Sequence, residues 1–213
     1  MAARKGKRAL AEAREIRKMA RNILAIYLQC DDMTRAAGRE WYAEEHARFV
    51  DMARRTGRTL QAIAGAASAI SPGNRWENVP AHLAALIKNP AHKVPTYSRE
   101  FVNRALRCLA GEDPDAVLSG PKTRAFYSLL ADPHCGAVVI DGHALNIARG
   151  EPVPIRGGDV PAAARVNAAR YRRAAEAYRE VSELVGETAA SVQAATWLFW
   201  RAALDIAALP AVD

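Results

Sequence analysis

Two short segments of the chain contain the residues best suited to chemistry. The first is VVIDGHALNIARG, residues 138–150, in which Asp141 follows a β-branched run and precedes a helical pattern. An N-cap belongs at such a position, and a carboxylate fixed there would stabilise positive charge that develops in a nearby reaction. An aspartate that only caps the helix is the alternative, because Asp is among the preferred caps.

The second segment is LSGPKTRAF, residues 118–126. Gly120 and Pro121 indicate a helix start that has Lys122 and Thr123 in its first turn. A lysine at this end opposes the helix dipole, which favours anions. Either the ammonium and the backbone N–H groups hold a phosphate, or the field favours a neutral, nucleophilic amine. A lysine that only extends into water is the third possibility.

Together, the two segments resemble the core of the helix-hairpin-helix DNA glycosylase superfamily. Lys122 lies 19 positions before Asp141, close to the interval in that family. The resemblance implies that Lys122 is the nucleophile of the members that also cleave the strand, and that Asp141 is the catalytic acidic residue. It also implies that Gly120 is the second glycine of a phosphate-binding hairpin and that His143 is the histidine after the aspartate.

The resemblance covers residues 112–150, and the chain departs from the family pattern in two ways. Leu118 stands at the first hairpin glycine, and the four-cysteine cluster of some members is absent. Glycosylase-related helical proteins also occur among bacteriophage proteins linked to modified pyrimidines, and the loop with Ser71-Pro72 and Trp76–Asn78 resembles theirs. The resemblance therefore implies a divergent member of bacteriophage type.

The resemblance implies an enzyme of DNA repair or DNA modification, a glycosylase that breaks a base–sugar bond. That bond breaks through an oxocarbenium-like state, which Asp141 would stabilise, and a neutral Lys122 amine could attack C1′ to form a Schiff base. We expect DNA contacts from these residues: Gly120, Thr123, Arg124, Asn146 and Arg149. Solvated arginines are the alternative. Three aromatic residues are candidates for a base pocket, although helical spacing favours the core: Trp76, Tyr127 and Trp197.

The elements that must position these residues are helical. Apolar periodicity predicts an all-α fold of roughly nine or ten helices, and the resemblance implies a two-lobed, glycosylase-like architecture with a cleft. The expected helices cover about 8–29, 34–56, 60–70, 79–88, 98–110, 121–131, 142–149, 159–185 and 188–208. The caps expected for five of them are Thr34, Thr59, Ser98, Asp159 with Pro161, and Thr188.

Three parts are expected along the chain. Residues 1–21 form a basic arm at the start of the first helix, and residues 22–150 form a helical domain that contains the hairpin-like element at 112–150. Residues 151–213 form a C-terminal helical pair that packs back on the core.

The formal net charge of +7 is concentrated in residues 1–21, which contain eight basic residues and two acidic ones. Such an arm suits DNA phosphates, an anionic membrane surface or a solvated helix face. No apolar run is long enough to span a bilayer, the three cysteines form no metal-site pattern, and no glycine-rich nucleotide loop is present. We therefore expect a cytoplasmic protein with DNA as its partner, and neither a metal nor a cofactor.

Two other classes of protein stay open at this point. One is a catalytically inactive DNA-binding or DNA-modification accessory protein of the same architecture. It should bind duplex DNA with steep salt dependence and be indifferent to Asp141→Asn. The other is a helical protein-interaction module, whose affinity for nucleic acid should vanish when residues 1–21 are deleted.

Overall fold

The computed structural model describes residues 2–96, 98–153 and 166–207, and the regular structure of those residues is entirely helical. The ten helices in these ranges are α1 (Ala2–Gln29), α2 (Asp32–Thr56), α3 (Leu60–Ile70), α4 (Val79–Lys88), α5 (Arg99–Leu109), α6 (Pro114–Val117), α7 (Pro121–Ala131), α8 (Gly142–Arg149), α9 (Ala168–Val185) and α10 (Ala189–Ala207). A 3₁₀ turn at Trp76–Asn78 precedes α4. Since these ranges contain no strand, the predicted all-α class is confirmed.

Most helix ends lie where polar side chains or glycines allow them. Thr59 accepts a hydrogen bond from the N–H of Ala62 at the start of α3, and Ser98 accepts one from Glu100 at the start of α5. Gly186 ends α9 in the left-handed conformation, at φ +70°. These predicted ends are confirmed, because each depends on a residue type with a specific local function.

Two expected helix starts turn out differently. Thr34 is not the cap of α2; its N–H donates to Oδ1 of Asp31 at 2.7 Å, and the helix begins at Asp32. The start expected at Asp159 and Pro161 lies outside the described residues. Helix α9 begins at Ala168 instead, where Asn167 accepts a hydrogen bond from the N–H of Arg170.

The chain divides into two compact units. Unit 1 comprises Met1–Tyr42 and Val138–Asp213, and unit 2 comprises Ala43–Ala137, so the division falls within α2. The sequence predicts divisions after residues 21 and 150, which differ from the boundaries of these two units. That division stays a prediction. The two-lobed, glycosylase-like architecture also stays a prediction.

In unit 1, α1 packs against α8, α9 and α10. Its buried residues include Met19 and Ala20 as well as Ile23 and Tyr27, so the packed face continues across the expected boundary at residue 21. The basic N-terminal segment is therefore the first part of one continuous helix, α1.

In unit 2, α3 is the central element and contacts α4, α5, α6 and α7. It is buried from Ala62 to Ile70, and small side chains allow its neighbours to approach closely. A Cβ added at Gly65 would lie 2.8 Å from Cγ of Pro114, the first residue of α6. This close approach fixes the short helix that precedes the predicted hairpin.

Two of the candidate pocket aromatics belong to the core of unit 2. Trp76 and Tyr127 are each 9% exposed, and the Trp76 ring packs edge-on against Phe49 and Phe126. The core interpretation therefore holds for both residues. None of the helices in the described ranges has the length and apolar character needed to cross a bilayer.

Candidate functional site

Asp141 is the N-cap of α8, as the sequence predicts. Its Oδ1 accepts a hydrogen bond of 2.8 Å from the N–H of Ala144. The preceding run, residues 138–140, is buried, whereas Asp141 itself is half-buried. The aspartate is therefore held by the fold but is not fully buried.

The second carboxylate oxygen is held by α10. Nε1 of Trp197 donates a hydrogen bond of 3.2 Å to Oδ2 of Asp141. The Trp197 ring is itself fixed, because Trp41 packs edge-on at a centroid distance of 6.0 Å and the Arg201 guanidinium lies 4.7 Å from the ring centroid. Both oxygens thus have a donor on a packed helix, so the protein itself fixes the orientation of the carboxylate.

Two tyrosines of α9 are buried near the site, and one of them, Tyr171, supports the segment before Asp141. The Tyr171 hydroxyl donates a hydrogen bond of 2.6 Å to the carbonyl of Val138. Burial raises the pKa of Tyr171 to about 12, and the negative charge of Asp141 contributes in the same direction. Burial also raises the pKa of Tyr178, whose hydroxyl lies 3.4 Å from Oγ1 of Thr196. Both phenols are therefore neutral groups at ordinary pH.

The other predicted residues of α8 differ in exposure. His143 is half-buried in the first turn, whereas Asn146 is 3% exposed and donates a hydrogen bond of 2.6 Å to the carbonyl of Val153. Arg149 is half-buried, and its pKa is lowered by burial and by the charge of Arg170. In this structure Asn146 holds the segment after α8, and the predicted DNA contacts of Asn146 and Arg149 stay predictions.

The predicted hairpin lies in unit 2 between α6 and α7. Gly120 has φ +85°, which a residue with a side chain adopts only with strain. Oγ1 of Thr123 donates to the carbonyl of Ser119 at 2.6 Å, and Nε of exposed Arg124 donates to the carbonyl of Leu118 at 3.0 Å. The hairpin is thus fixed from within, and its N-cap residue, Gly120, provides no side-chain hydrogen bond to the first turn of α7.

Lys122 lies in the first turn of α7 and is half-buried, in the position that the sequence predicts. It belongs to unit 2, whereas Asp141 belongs to unit 1. The catalytic functions that the resemblance implies for these two residues therefore stay predictions.

Sequence reasoning missed the hydrogen bond between Trp197 and Asp141. Trp197 had two interpretations, base pocket or core, and neither paired it with a residue 56 positions earlier. No local pattern contains such a signal, because the pairing depends on how α8 packs against α10. The four-residue spacing of Trp197 and Arg201 indicates only that they share a helix face.

No metal site is formed by the described residues, in which no three His, Cys, Asp or Glu side chains are grouped closely enough to hold an ion. His82 and His92 form a pair, with Nδ1 of the first and Nε2 of the second 3.2 Å apart. Cys30, Cys108 and Cys135 are all free thiols.

The fold and the site define an all-helical protein with a half-buried aspartate fixed at a helix start. The chain belongs to the family of unknown function DUF7178, whose model matches residues 6–204. No curated protein and no solved structure is significantly similar to it. The matched range includes both the hairpin of unit 2 and the Asp141 segment of unit 1.

Proposed function

We propose that this protein is a DNA glycosylase-like enzyme that breaks the base–sugar bond of a modified or damaged nucleotide, with Asp141 as its acidic residue. The observation that supports this most is the fixed carboxylate of Asp141, bonded at one oxygen by Ala144 N–H and at the other by Trp197. A cap alone needs only the first of these bonds. The second orients the charge, as electrostatic stabilisation of a cationic transition state requires.

The chemistry follows from this placement. As the C1′–N bond breaks, its electron pair leaves with the base, which takes up a proton, and the sugar becomes oxocarbenium-like. The carboxylate of Asp141 stabilises the positive charge at C1′ and orients the incoming water. Water then forms the new C1′–O bond and loses a proton, so that the products are a free base and an abasic site.

Lys122 is proposed as an alternative nucleophile. Its neutral amine would form the bond to C1′ as the base leaves, and opening of the sugar ring would give a Schiff base. Removal of a C2′ proton from that intermediate would form a C2′–C3′ double bond, expel the 3′ phosphate and so cleave the strand. The support for this step is the position of Lys122 in the first turn of α7, directly after the hairpin.

A second candidate is a catalytically inactive DNA-binding or DNA-modification accessory protein of the bacteriophage type. The observation that favours it is the hairpin, where Gly120 provides no side-chain cap for the backbone N–H groups of α7. Such a helix start suits a phosphate and needs no carboxylate. This candidate binds DNA equally well with Asp141 or Asn at position 141.

The test uses duplex and single-stranded oligonucleotides that each carry one modified or damaged base. Each is incubated with the wild-type protein, Asp141→Asn and Lys122→Ala, and alkali then reveals abasic sites. We expect base release by the wild type on at least one substrate and a loss of at least about 100-fold in Asp141→Asn, since one fixed group in such a site contributes that much. Borohydride should trap a covalent adduct in the wild type and none in Lys122→Ala.

Asp31→Asn is the matched control, because Asp31 also accepts a hydrogen bond from the N–H three residues later at a helix start. Asn is as good a cap as Asp, so both variants should fold. Equal activity of Asp141→Asn and Asp31→Asn would refute the enzymatic proposal. DNA binding without base release on any substrate would favour the accessory protein.

A further inference from the structure

Four basic residues of α1 lie on one helix face, which we term the basic face. They are at positions i, i+3, i+4 and i+7, and all are exposed: Arg14, Arg17, Lys18 and Arg21. This spacing places them on a single stripe. Four of the eight basic residues of the N-terminal segment therefore share one exposed side of α1.

The opposite face of α1 is occupied. Met19, Ile23 and Tyr27 are buried, and the helix packs against α8, α9 and α10. A helix that lies in a membrane interface inserts its apolar face between lipids. Because the fold of unit 1 already uses that face, an anionic bilayer would meet only the charged side.

The acidic residues of α1 are engaged elsewhere. Glu12 pairs with Arg172 at 2.8 Å, and Glu15 pairs with Arg173 at 3.1 Å, so both carboxylates are neutralised by arginines of α9. None of the four cations of the basic face has an ion-pair partner among the residues that the structure describes. The basic face therefore presents four uncompensated positive charges.

We infer that the basic face of α1 binds the phosphate backbone of duplex DNA. From position 14 to position 21 the helix rises by about 10 Å, and a duplex carries about one phosphate charge per 1.7 Å of its axis, so four cations have several phosphates within reach. Contacts of this kind are independent of sequence and release counterions. The inference shares its ligand with the proposed function but needs neither Asp141 nor base release.

The test measures the affinity of the full chain for an unmodified fluorescent duplex between about 50 and 200 mM salt. The first variant changes all four residues of the basic face to Gln. The control changes four exposed cations of unit 2 to Gln: Arg54, Arg75, Lys88 and Arg99. Both variants lose the same formal charge and keep every buried residue, and circular dichroism confirms their helical content.

We expect the basic-face variant to lower the slope of log affinity against log salt by roughly 3 to 4, which corresponds to an about hundredfold smaller loss of affinity across that range. The control variant should keep most of the wild-type slope. Equal losses in the two variants, an unchanged basic-face variant, or wild-type binding to anionic vesicles but not to duplex would each overturn the inference. Asp141→Asn should bind like the wild type, so failure of the catalytic proposal is seen separately in the base-release assay.

Discussion

Asp141 is the cap of α8 and also the proposed acidic residue. As a cap, it satisfies the N–H of Ala144, and its bond to Trp197 adds nothing that a cap requires. The cap can be predicted from the sequence because it depends only on the residue type at position 141 and on the helical pattern that directly follows. The indole donor depends on the packing of α10 and could not be predicted from local sequence.

Trp197 provides a test at the same scale, because Trp200 on the same helix is a matched control. Both are half-exposed, but the buried indole nitrogen of Trp200 has no hydrogen-bond partner among the described residues. We expect Trp197→Phe to slow base release by about 10- to 100-fold, the effect of losing one hydrogen bond to a charged group. Trp200→Phe should react like the wild type.

An NMR measurement checks the same bond without activity. In the wild-type protein, the indole N–H resonance of Trp197 should move when Asp141 is changed to Asn, and that of Trp200 should stay in place. Equal rates of base release in Trp197→Phe and Trp200→Phe, together with an unmoved Trp197 resonance, would contradict the proposed function of Trp197 in positioning the Asp141 carboxylate.

Helices α2 and α10 make a close contact at Gly38. A Cβ added at Gly38 would lie 2.6 Å from both the backbone nitrogen and the Cβ of Ala195, two residues before Trp197. We expect Gly38→Ala to lower the free energy of unfolding by about 1–3 kcal/mol, because the helices must separate. Urea unfolding measures this change.

Gly6→Ala is the control for that substitution. Gly6 is also helical, but nothing lies within 4 Å of an added Cβ, so this change should be neutral or stabilise by up to about 1 kcal/mol. Similar effects at Gly38 and Gly6 would show that the close approach of α2 and α10 is absent in solution.

Helix α9 gives a pH dependence through Tyr171. Its pKa is about 12 in the folded chain against an ordinary value of 10.0, mainly because of burial. The folded chain therefore holds the Tyr171 proton more tightly than the unfolded chain. The contribution of this tyrosine to the free energy of unfolding is fully present below about pH 10 and is lost as the pH rises towards 12. Tyr171→Phe should lower stability by about 1 kcal/mol near neutral pH, because the bond to Val138 is lost.

Above about pH 10, the difference between wild type and Tyr171→Phe should shrink, because the variant lacks this ionisation. Urea unfolding between about pH 7 and 11 measures this convergence, with Tyr178 present in both proteins. Curves that stay parallel over the whole range would contradict the proposed titration of Tyr171.

Element boundaries were predictable where a single residue determines them. Thr59, Ser98 and Gly186 each act on their own backbone neighbours, and the helices begin or end as expected. Thr34 was predicted wrongly because Asp31, three residues earlier, is a better cap than threonine and provides the oxygen.

The net charge of +7 does not describe how the charges are distributed over the molecule. The structure separates the acidic residues of α1, which pair with α9, from the basic face, which is exposed. The sequence identified the basic segment but not its orientation. The division of the chain into two compact units could not be predicted either, because it depends on long-range contacts between residues 1–42 and 138–213.

In the proposed reaction, the fixed carboxylate of Asp141 drives release of a base from DNA. Mass spectrometry of the free base, under single-turnover conditions with excess protein, tests it most directly. We predict that wild type and Asp31→Asn liberate the same base in step with abasic sites, and that Asp141→Asn liberates at least about 100-fold less per unit time. Equal release by Asp141→Asn, or no free base from any substrate with the wild type, would contradict the account.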